Sequence, residues 1–144
     1  MTNKNLVLDS SVLIPLLCEE EIHSDYSKDL LKAANQTNRI FIIPMLVLFE
    51  VFHNLKKRGF FEIPMAFEKF RDLFNYPNFQ YIDLNLDFFN LFRQVDVFDN
   101  LKTSDATIAA AAFLTKSVLI SWDLDLNKNA YEAYTPKEFI NTLL

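Results

Sequence analysis

Short apolar strands that alternate with helical segments predict an α/β fold, a parallel sheet of at least four strands flanked by helices on both faces. Residues 6–8 and 39–43 are almost wholly apolar, which is typical of parallel strands buried on both faces. Apolar residues elsewhere recur at the spacing of amphipathic helices. The single glycine among 144 residues argues against a β-sandwich of many tight hairpins.

The apolar patterns set approximate bounds for each element. Strands are predicted at residues 6–8, 39–43, 80–84 and 118–122. Helices are predicted at residues 11–18, 24–35, 45–57, 64–74, 86–98 and 103–114, and a short one begins after residue 135. The order of the elements is that of successive βα units, which favours a single domain over residues 1–144.

Several residues mark where helices begin and end. Pro44 suits the first turn of the helix at 45–57, and Gly59 lies where its C-terminal cap is expected. Thr103 or Ser104 is expected to cap the following long helix. The sequence TPKE from Thr135 is a capping box with proline at the first helical position.

Two helices carry apolar side chains that we expect to face the core. In the helix at 45–57 these are Leu46, Leu48, Phe49 and Phe52. In the helix at 86–98 they are Phe88, Leu91, Phe92 and Val95. Since fifteen phenylalanines need not all fit inside one small core, part of the apolar surface of the helices between residues 64 and 98 is expected to pack against a second chain.

The composition excludes several functional classes. One glycine cannot make a G-x-G-x-x-G or Walker A phosphate loop. Cys18 is the single cysteine, so it allows no internal disulfide and no cysteine-based zinc site. The net charge of −5 means that any nucleic-acid contact needs a local basic patch or a metal ion. There is no secretory signal and no apolar run of membrane-spanning length, so we expect a cytoplasmic protein without membrane contact.

Asp9 is the first candidate for a functional residue. It follows the strand at residues 6–8, where a carboxylate is costly unless something compensates its charge. In open α/β sheets, ligands bind in the crevice outside the carboxyl ends of the strands. Asp9 is therefore either a site residue, with Ser10 or Ser11 capping the next helix, or itself the helix N-cap.

Three further carboxylates occupy comparable places. Glu50 lies within an apolar helix face, Asp105 opens a helix of small residues, and Asp123 follows the fourth strand. Taken singly, the aspartates can be caps or first-turn acids, and Glu50 can point to solvent. Together with Asp9 they would repel one another at one sheet edge unless a cation were present. Oxygen ligands without Cys or His favour magnesium or manganese.

Four stretches in chain order carry a resemblance to a known family. They are LVLDSSVLI, IIPMLVLFEVFHNL, LKTSDATIAAAA and VLISWDLDL, and the final YTPKEFINTL adds a fifth. The ordered set resembles the PIN-domain family of metal-dependent ribonucleases, especially the small VapC-type toxins of bacterial toxin–antitoxin pairs. The resemblance covers nearly the whole chain.

The resemblance implies a site made of four acids. Asp9, Glu50, Asp105 and Asp123 match the family's acidic quartet. We expect Asp9 and Asp105 to be the most direct ligands of one or two Mg²⁺ or Mn²⁺ ions, with Glu50 and Asp123 completing the shell directly or through water.

Further family features follow from the same resemblance. Ser121 stands where the family usually has Thr or Ser, and Asp125 matches a less regular acid. A fifth strand is implied between residues 129 and 134, where the sequence itself is uninformative. The implied activity is hydrolysis of RNA phosphodiesters to 5′-phosphate and 3′-hydroxyl ends. The implied partners are an RNA substrate, a small antitoxin protein and a second copy of the chain, the last also favoured by the Phe-rich helices at 64–98.

Two other classes stay open at this point. The first is a non-catalytic PIN-like module that binds RNA or protein. The second is an aspartyl-phosphate enzyme with Asp9 as nucleophile. Haloacid-dehalogenase-type phosphatases resemble this first strand, but they carry a second Asp two positions on, where this chain has Ser11.

Other chemistry-bearing residues are given structural interpretations. Lys56, Lys57 and Arg58 can reach an RNA backbone, but complementing the helix C-terminus is favoured. Phe60 and Phe61 can stack on bases, but core packing is favoured.

The two histidines are interpreted in the same way. His53 forms a single E-x-x-H pattern with Glu50, whereas di-iron bundles need two, so it is taken as a satisfied or exposed histidine. His23 lies in an acidic loop and is taken as a surface residue.

Overall fold

A computed structural model describes residues 4–143 of the chain and confirms the α/β class. Within these residues the strands are β1 (Leu6–Leu8), β2 (Phe41–Pro44), β3 (Phe79–Ile82), β4 (Val118–Ile120) and β5 (Ala133–Tyr134). They form one sheet in the order β3-β2-β1-β4-β5, and every pairing is parallel. The fifth strand implied by the resemblance is therefore present.

The strand order creates a switch point beside β1. The chain starts in the middle of the sheet, adds β2 and β3 on one side, and then crosses to add β4 and β5 on the other. Leu6 pairs with Phe41 on one side and with Val118 on the other. The connections leaving β1 and β4 diverge at the carboxyl ends of these strands, which is where doubly wound sheets place their ligand crevice.

Eight α-helices flank this sheet within the described residues. They are α1 (Ser10–Leu17), α2 (Ser24–Gln36), α3 (Met45–Lys57), α4 (Ala66–Phe74), α5 (Leu86–Phe92), α6 (Thr103–Leu114), α7 (Leu124–Asn129) and α8 (Pro136–Thr142). A short 3₁₀ turn at Phe60–Glu62 lies between α3 and α4. Helix α7 and the 3₁₀ turn were not predicted, because both are too short to show an apolar period.

The core is built on the three central strands. Every residue of β1, β2 and β4 is buried, as expected of strands covered on both faces. Helix α6 packs against β1 and β4, and Ala109 to Ala112 are all buried at this contact. Alanine favours a helix and has a short side chain, so α6 can approach the sheet closely at the switch point.

The predicted inward face of α3 is wrong in part. Phe49 and Phe52 are 65% and 37% exposed, whereas Val47, Val51 and Leu55 are the buried residues of this helix. These three residues recur every four positions and form one stripe. Phe52 instead begins a series of ring contacts that continues through Phe61, Phe67, Phe70, Phe74 and Phe79.

The prediction for the helix at 86–98 is also wrong in part. Helix α5 ends at Phe92 and has no buried residue, and Leu91 is 52% exposed. Its seven residues make about two turns, and its apolar side chains point in more directions than the core can cover. Asn85 caps it by accepting a hydrogen bond from the N–H of Phe88 at 3.0 Å.

Helix ends agree with the sequence in two places and differ in two. Gly59 adopts the left-handed conformation, φ 74°, directly after the cap of α3, and the Thr135–Glu138 capping box is present in α8. Pro44, however, is the N-cap of α3 rather than a first-turn residue. Lys102, not Thr103 or Ser104, holds the N-cap position of α6.

Within the described residues, no helix combines the length and the apolar character needed to cross a membrane.

Candidate active site

A cleft of about 360 Å³ opens at the carboxyl ends of β1 and β4. All four predicted acids line it, namely Asp9, Glu50, Asp105 and Asp123. They arrive from four different elements: the end of β1, the middle of α3, the first turn of α6 and the end of β4. The switch point of the sheet is therefore also the place where these distant carboxylates meet.

The Asp9 side chain lines the cleft and does not cap α1. Its backbone takes the N-cap position of α1, but its carboxylate makes no cap hydrogen bond. Instead, Asp9 Oδ2 accepts hydrogen bonds from the hydroxyls of Ser11 at 2.9 Å and Ser121 at 2.8 Å. Because Asp9 is only 6% exposed, these two bonds replace much of the solvation that burial removes.

Two backbone groups fix the direction in which these serine hydroxyls donate. The N–H of Trp122 donates to Ser11 Oγ at 3.0 Å, and the N–H of Asp123 donates to Ser121 Oγ at 2.9 Å. Each serine oxygen therefore accepts a hydrogen bond from a backbone N–H and donates its own hydroxyl proton to Asp9. This network joins the ends of β1 and β4 and orients the Asp9 carboxylate, leaving Oδ1 outside both serine bonds.

Asp123 serves as a helix cap as well as a wall of the cleft. Its Oδ1 accepts hydrogen bonds from the N–H groups of Asp125 at 3.0 Å and Leu126 at 3.1 Å, at the start of α7. The alternative interpretation of Asp123 as a helix cap is therefore correct for Oδ1. Asp125 is exposed and does not line the cleft, so its carboxylate lies apart from the other four.

The surroundings of Glu50 and Asp105 raise the pKa of both carboxyl groups. Burial, followed by the charges of Asp9 and Asp105, raises the pKa of Glu50 from 4.5 to about 7. Burial likewise raises the pKa of Asp105, against the opposing effect of Lys102, and Asp123 and Asp9 raise it further. The Lys102 ammonium lies 4.0 Å from Asp105 Oδ2. One lysine thus offsets only part of the negative charge in the cleft.

The donor set suits a divalent cation of the magnesium or manganese type. All four predicted ligands offer carboxylate oxygens, and Glu50 Oε1 is buried without a hydrogen-bond partner among the described residues. As placed, however, no three Asp, Glu, His or Cys side chains between residues 4 and 143 stand close enough to hold a metal ion. The carboxylates line one cleft and repel one another, so a divalent cation bound there would offset the repulsion and could be contacted by Glu50 Oε1.

The cleft also contains residues that the sequence did not single out for it. Glu21, Lys102 and Trp122 line it, and His23 stacks on Trp122 with ring centroids 3.8 Å apart. His23 is half-buried in this wall, so its interpretation as a surface residue is wrong. No local pattern links residue 23 to residue 122, because their contact depends on the path of the chain from α1 to α2.

The basic and aromatic residues at the end of α3 and just after it lie in different surroundings. Arg58 lines the cleft, whereas Lys56 and Lys57 are exposed and do not. Phe60 is buried and Phe61 packs among neighbouring rings, which confirms core packing for this pair.

These features define a parallel α/β domain with an acidic crevice at its topological switch point. The PIN domain family model matches residues 6–131, and the chain therefore belongs to the PIN domain family. The family expected from the ordered motifs is thus confirmed. A search of the curated proteins found no match.

Several solved structures are similar over most of their length. PAE2754 from Pyrobaculum aerophilum has a TM-score of 0.68 and 20% identity, covering 98% of this chain and 90% of that one. A toxin–antitoxin complex from Klebsiella pneumoniae has a TM-score of 0.66 and 21% identity, covering 92% and 98%. VapC20 from Mycobacterium tuberculosis, described as a toxin that cleaves the sarcin–ricin loop, has a TM-score of 0.64 and 15% identity, covering 86% and 94%. At these identities the likeness shows the shared fold.

Proposed function

We propose that this protein is a Mg²⁺- or Mn²⁺-dependent endoribonuclease and the toxin of a toxin–antitoxin pair. The observation that carries the proposal is the meeting of Asp9, Glu50, Asp105 and Asp123 in one cleft of a PIN domain. Membership of the family and the ribonuclease toxin among its structural neighbours support an activity on RNA.

Each acid has a role that follows from its surroundings. Asp9 is oriented by two serine hydroxyls, so its Oδ1 is the oxygen left for a cation. Asp105 and Glu50 face it from α6 and α3. Asp123 uses Oδ1 to cap α7, which leaves Oδ2 for the cation or for its bound water. A divalent cation there lowers the pKa of a bound water and offsets charge on the phosphate.

The proton bound by Glu50 must leave before this carboxylate can act as a ligand. With a pKa of about 7, Glu50 is about half protonated at neutral pH without a cation. Cation binding therefore releases protons and becomes tighter as the pH rises through this range. This coupling is a property of the proposed site that can be measured without any RNA.

A cleavage assay tests the activity. The purified protein is incubated with single-stranded RNA in Mg²⁺ or Mn²⁺, and we expect cleavage that EDTA abolishes and that leaves 5′-phosphate ends. RNA that is bound but never cut would instead indicate the non-catalytic module. Phosphate trapped on Asp9 would indicate the aspartyl-phosphate alternative. The structure disfavours it, because the residue two positions after Asp9 is Ser11, whose hydroxyl donates a hydrogen bond to Asp9.

We further propose two protein partners and a cytoplasmic location. One of the similar structures is a toxin–antitoxin complex from Klebsiella pneumoniae, and another is VapBC2 from Rickettsia felis bound to a DNA fragment from its promoter; the first of these supports a small antitoxin as one partner. Co-purification with the product of a neighbouring short reading frame, together with inhibition of cleavage, is the expected result.

Exposed apolar residues of α4 and α5 support a homodimer as the second assembly. Phe67, Leu86, Phe89 and Leu91 are each exposed by half or more.

A further inference from the structure

The cleft is lined by more negative than positive side chains, and this excess negative charge repels an RNA strand. Besides the four predicted acids, Glu21 also faces it, and the cationic side chains in its lining are Lys102 and Arg58. A polyanion approaching this cleft meets net repulsion even after one divalent cation is bound. A cation that can contact the RNA backbone is therefore needed at the cleft itself.

Lys102 is already engaged with the acids. Its ammonium lies 4.0 Å from Asp105 Oδ2, and its charge acts on Glu50 as well. Arg58 differs, because its ion-pair partner is Glu21 in the loop between α1 and α2. Arg58 is thus the cation of this cleft whose partner lies outside the predicted metal-binding quartet.

The end of α3 places Arg58 at the cleft and turns its neighbours away. Arg58 is the cap of α3, and its N–H donates to the carbonyls of Asn54 and Leu55. Gly59 then takes a left-handed conformation that ends the helix. Lys56 and Lys57 have the same charge and nearly the same position in the chain, but they do not line the cleft. Arg58 lies eight residues after Glu50, roughly 12 Å along the helix axis.

We propose that Arg58 binds a backbone phosphate of the RNA strand that flanks the carboxylate cluster, an inference that rests on the proposed ribonuclease function. The guanidinium has five N–H donors in a planar fork suited to phosphate oxygens. Arg58 Nη1 is held by Glu21, and the side chain remains 44% exposed. Glu21 therefore positions the guanidinium, and the exposed part of the side chain can be reached by a phosphate.

The experiment compares Arg58→Gln with Lys57→Gln, which removes the same charge from the same helix end. Both are made in an Asp9→Asn background, and binding of a fluorescent single-stranded oligoribonucleotide is measured over a range of salt concentrations. Arg58→Gln is expected to weaken binding about tenfold and to flatten the salt dependence by about 0.7 in log–log slope, the value for one lost phosphate contact. Arg58→Lys is expected to recover part of the affinity.

Lys57→Gln is expected to change binding less than about twofold, because an exposed charge away from the strand is screened. In the cleavage-competent chain, Arg58→Gln should raise KM more than it lowers kcat. Equal effects of the two Gln variants would overturn the inference. So would an Arg58→Gln variant that melts earlier but binds RNA like Lys57→Gln, since Arg58 would then only fasten the loop to α3.

Assays of the wild-type protein distinguish a failure of the Arg58 inference from a failure of the proposed ribonuclease function. If it cuts RNA in Mg²⁺ or Mn²⁺ while the two Gln variants behave alike, only the role of Arg58 fails. If it neither binds nor cuts RNA under any of these conditions, the ribonuclease function fails and the role of Arg58 fails with it.

Discussion

The cleft at β1 and β4 and the Phe-rich surface of α4 and α5 are opposite kinds of surface. In the cleft, the polar groups of Asp9, Ser11 and Ser121 are joined by hydrogen bonds, yet the charge of the acids around them is only partly offset by Lys102. On α5, in contrast, Leu86 and Phe89 are apolar and exposed, at 77% and 53%. The first surface is negatively charged, whereas the second is apolar.

The two surfaces lie on different parts of the fold, outside the buried central strands. The strands beneath the cleft are fully buried, so the sheet can tolerate charge repulsion at its edge. Helix α5 has no buried residue, and α4 buries only Ala66 and Phe74, so most of their apolar surface lies outside the core. Substitutions in the two regions should therefore have separable effects on activity, stability and assembly.

The largest expected effect is on activity and comes from Asp9→Asn. If Asp9 is a direct metal ligand as proposed, its loss is expected to lower cleavage by more than about 100-fold, since even outer-shell substitutions cost 10- to 100-fold. In EDTA the variant should melt no lower than wild type, because neutralising Asp9 relieves its repulsion with Glu50 and Asp105. With excess Mg²⁺ the order should reverse.

Thermal unfolding with EDTA and with Mg²⁺, beside an RNA cleavage assay, measures both parts. An Asp9→Asn variant that melts far below wild type in EDTA would make Asp9 a structural residue. One that melts normally and still cuts RNA would leave the fold in place and remove Asp9 from the catalytic site.

The next effect is on stability and compares two buried serines. Ser121→Ala leaves Asp9 Oδ2 and the N–H of Asp123 each without one partner, and we expect a loss of about 1–3 kcal/mol in the free energy of unfolding. Ser27 is equally buried, but its hydroxyl has no partner among the described residues. Ser27→Ala is therefore the matched control and should be close to neutral in urea denaturation. Similar losses in both would mean that the hydroxyl network does not hold Asp9.

The pH dependence of stability is a smaller effect and is assigned to Glu50. Its pKa rises from 4.5 to about 7 on folding, so the folded state binds the extra proton between these values. Stability from this group is present below pH 4.5 and is lost as the pH rises through about 7. In EDTA at pH 8, Glu50→Gln should gain about 1 kcal/mol after allowance for solvent screening, and at pH 4 it should gain nothing.

Glu62→Gln is the control, because it removes the same charge from an exposed position. Melting curves of both variants and wild type across pH 4 to 8 make the comparison. A gain at pH 8 that is equal in the two variants would show a general charge effect rather than strain in the cleft.

The smallest effect on stability is expected on the apolar surface, where assembly changes instead. Leu86→Asp and Phe89→Asp should each alter the free energy of unfolding of the monomer by less than about 0.5 kcal/mol, because both side chains are exposed. If this surface forms the dimer, sedimentation should show monomers at concentrations where wild type is dimeric. Wild type that is monomeric at micromolar concentration would contradict the dimer proposal.

Much of the site could be predicted because its signals are local. Asp9 follows β1 directly, Asp123 lies three positions after the last residue of β4, and Asp105 opens a helix of small residues. Such patterns reflect the burial of each strand or helix on its own, so they survive in the sequence without knowledge of the fold. The strand count reached five through the ordered motifs, since Ala133–Tyr134 is too short to show a pattern of its own.

Long-range packing decided the rest. Helix α3 carries two apolar stripes, and hydrophobicity does not tell which one meets the sheet; Val51 does and Phe49 does not. The placement of Arg58 with Glu21 and of His23 with Trp122 in the cleft wall depends on loops that bring together residues far apart in the chain. The sequence alone thus determined the class of fold and the acids at its strand and helix ends, because periodicity is local. Tertiary structure alone decided which cation faces the acids and which apolar surface stays uncovered, because both depend on contacts between distant segments.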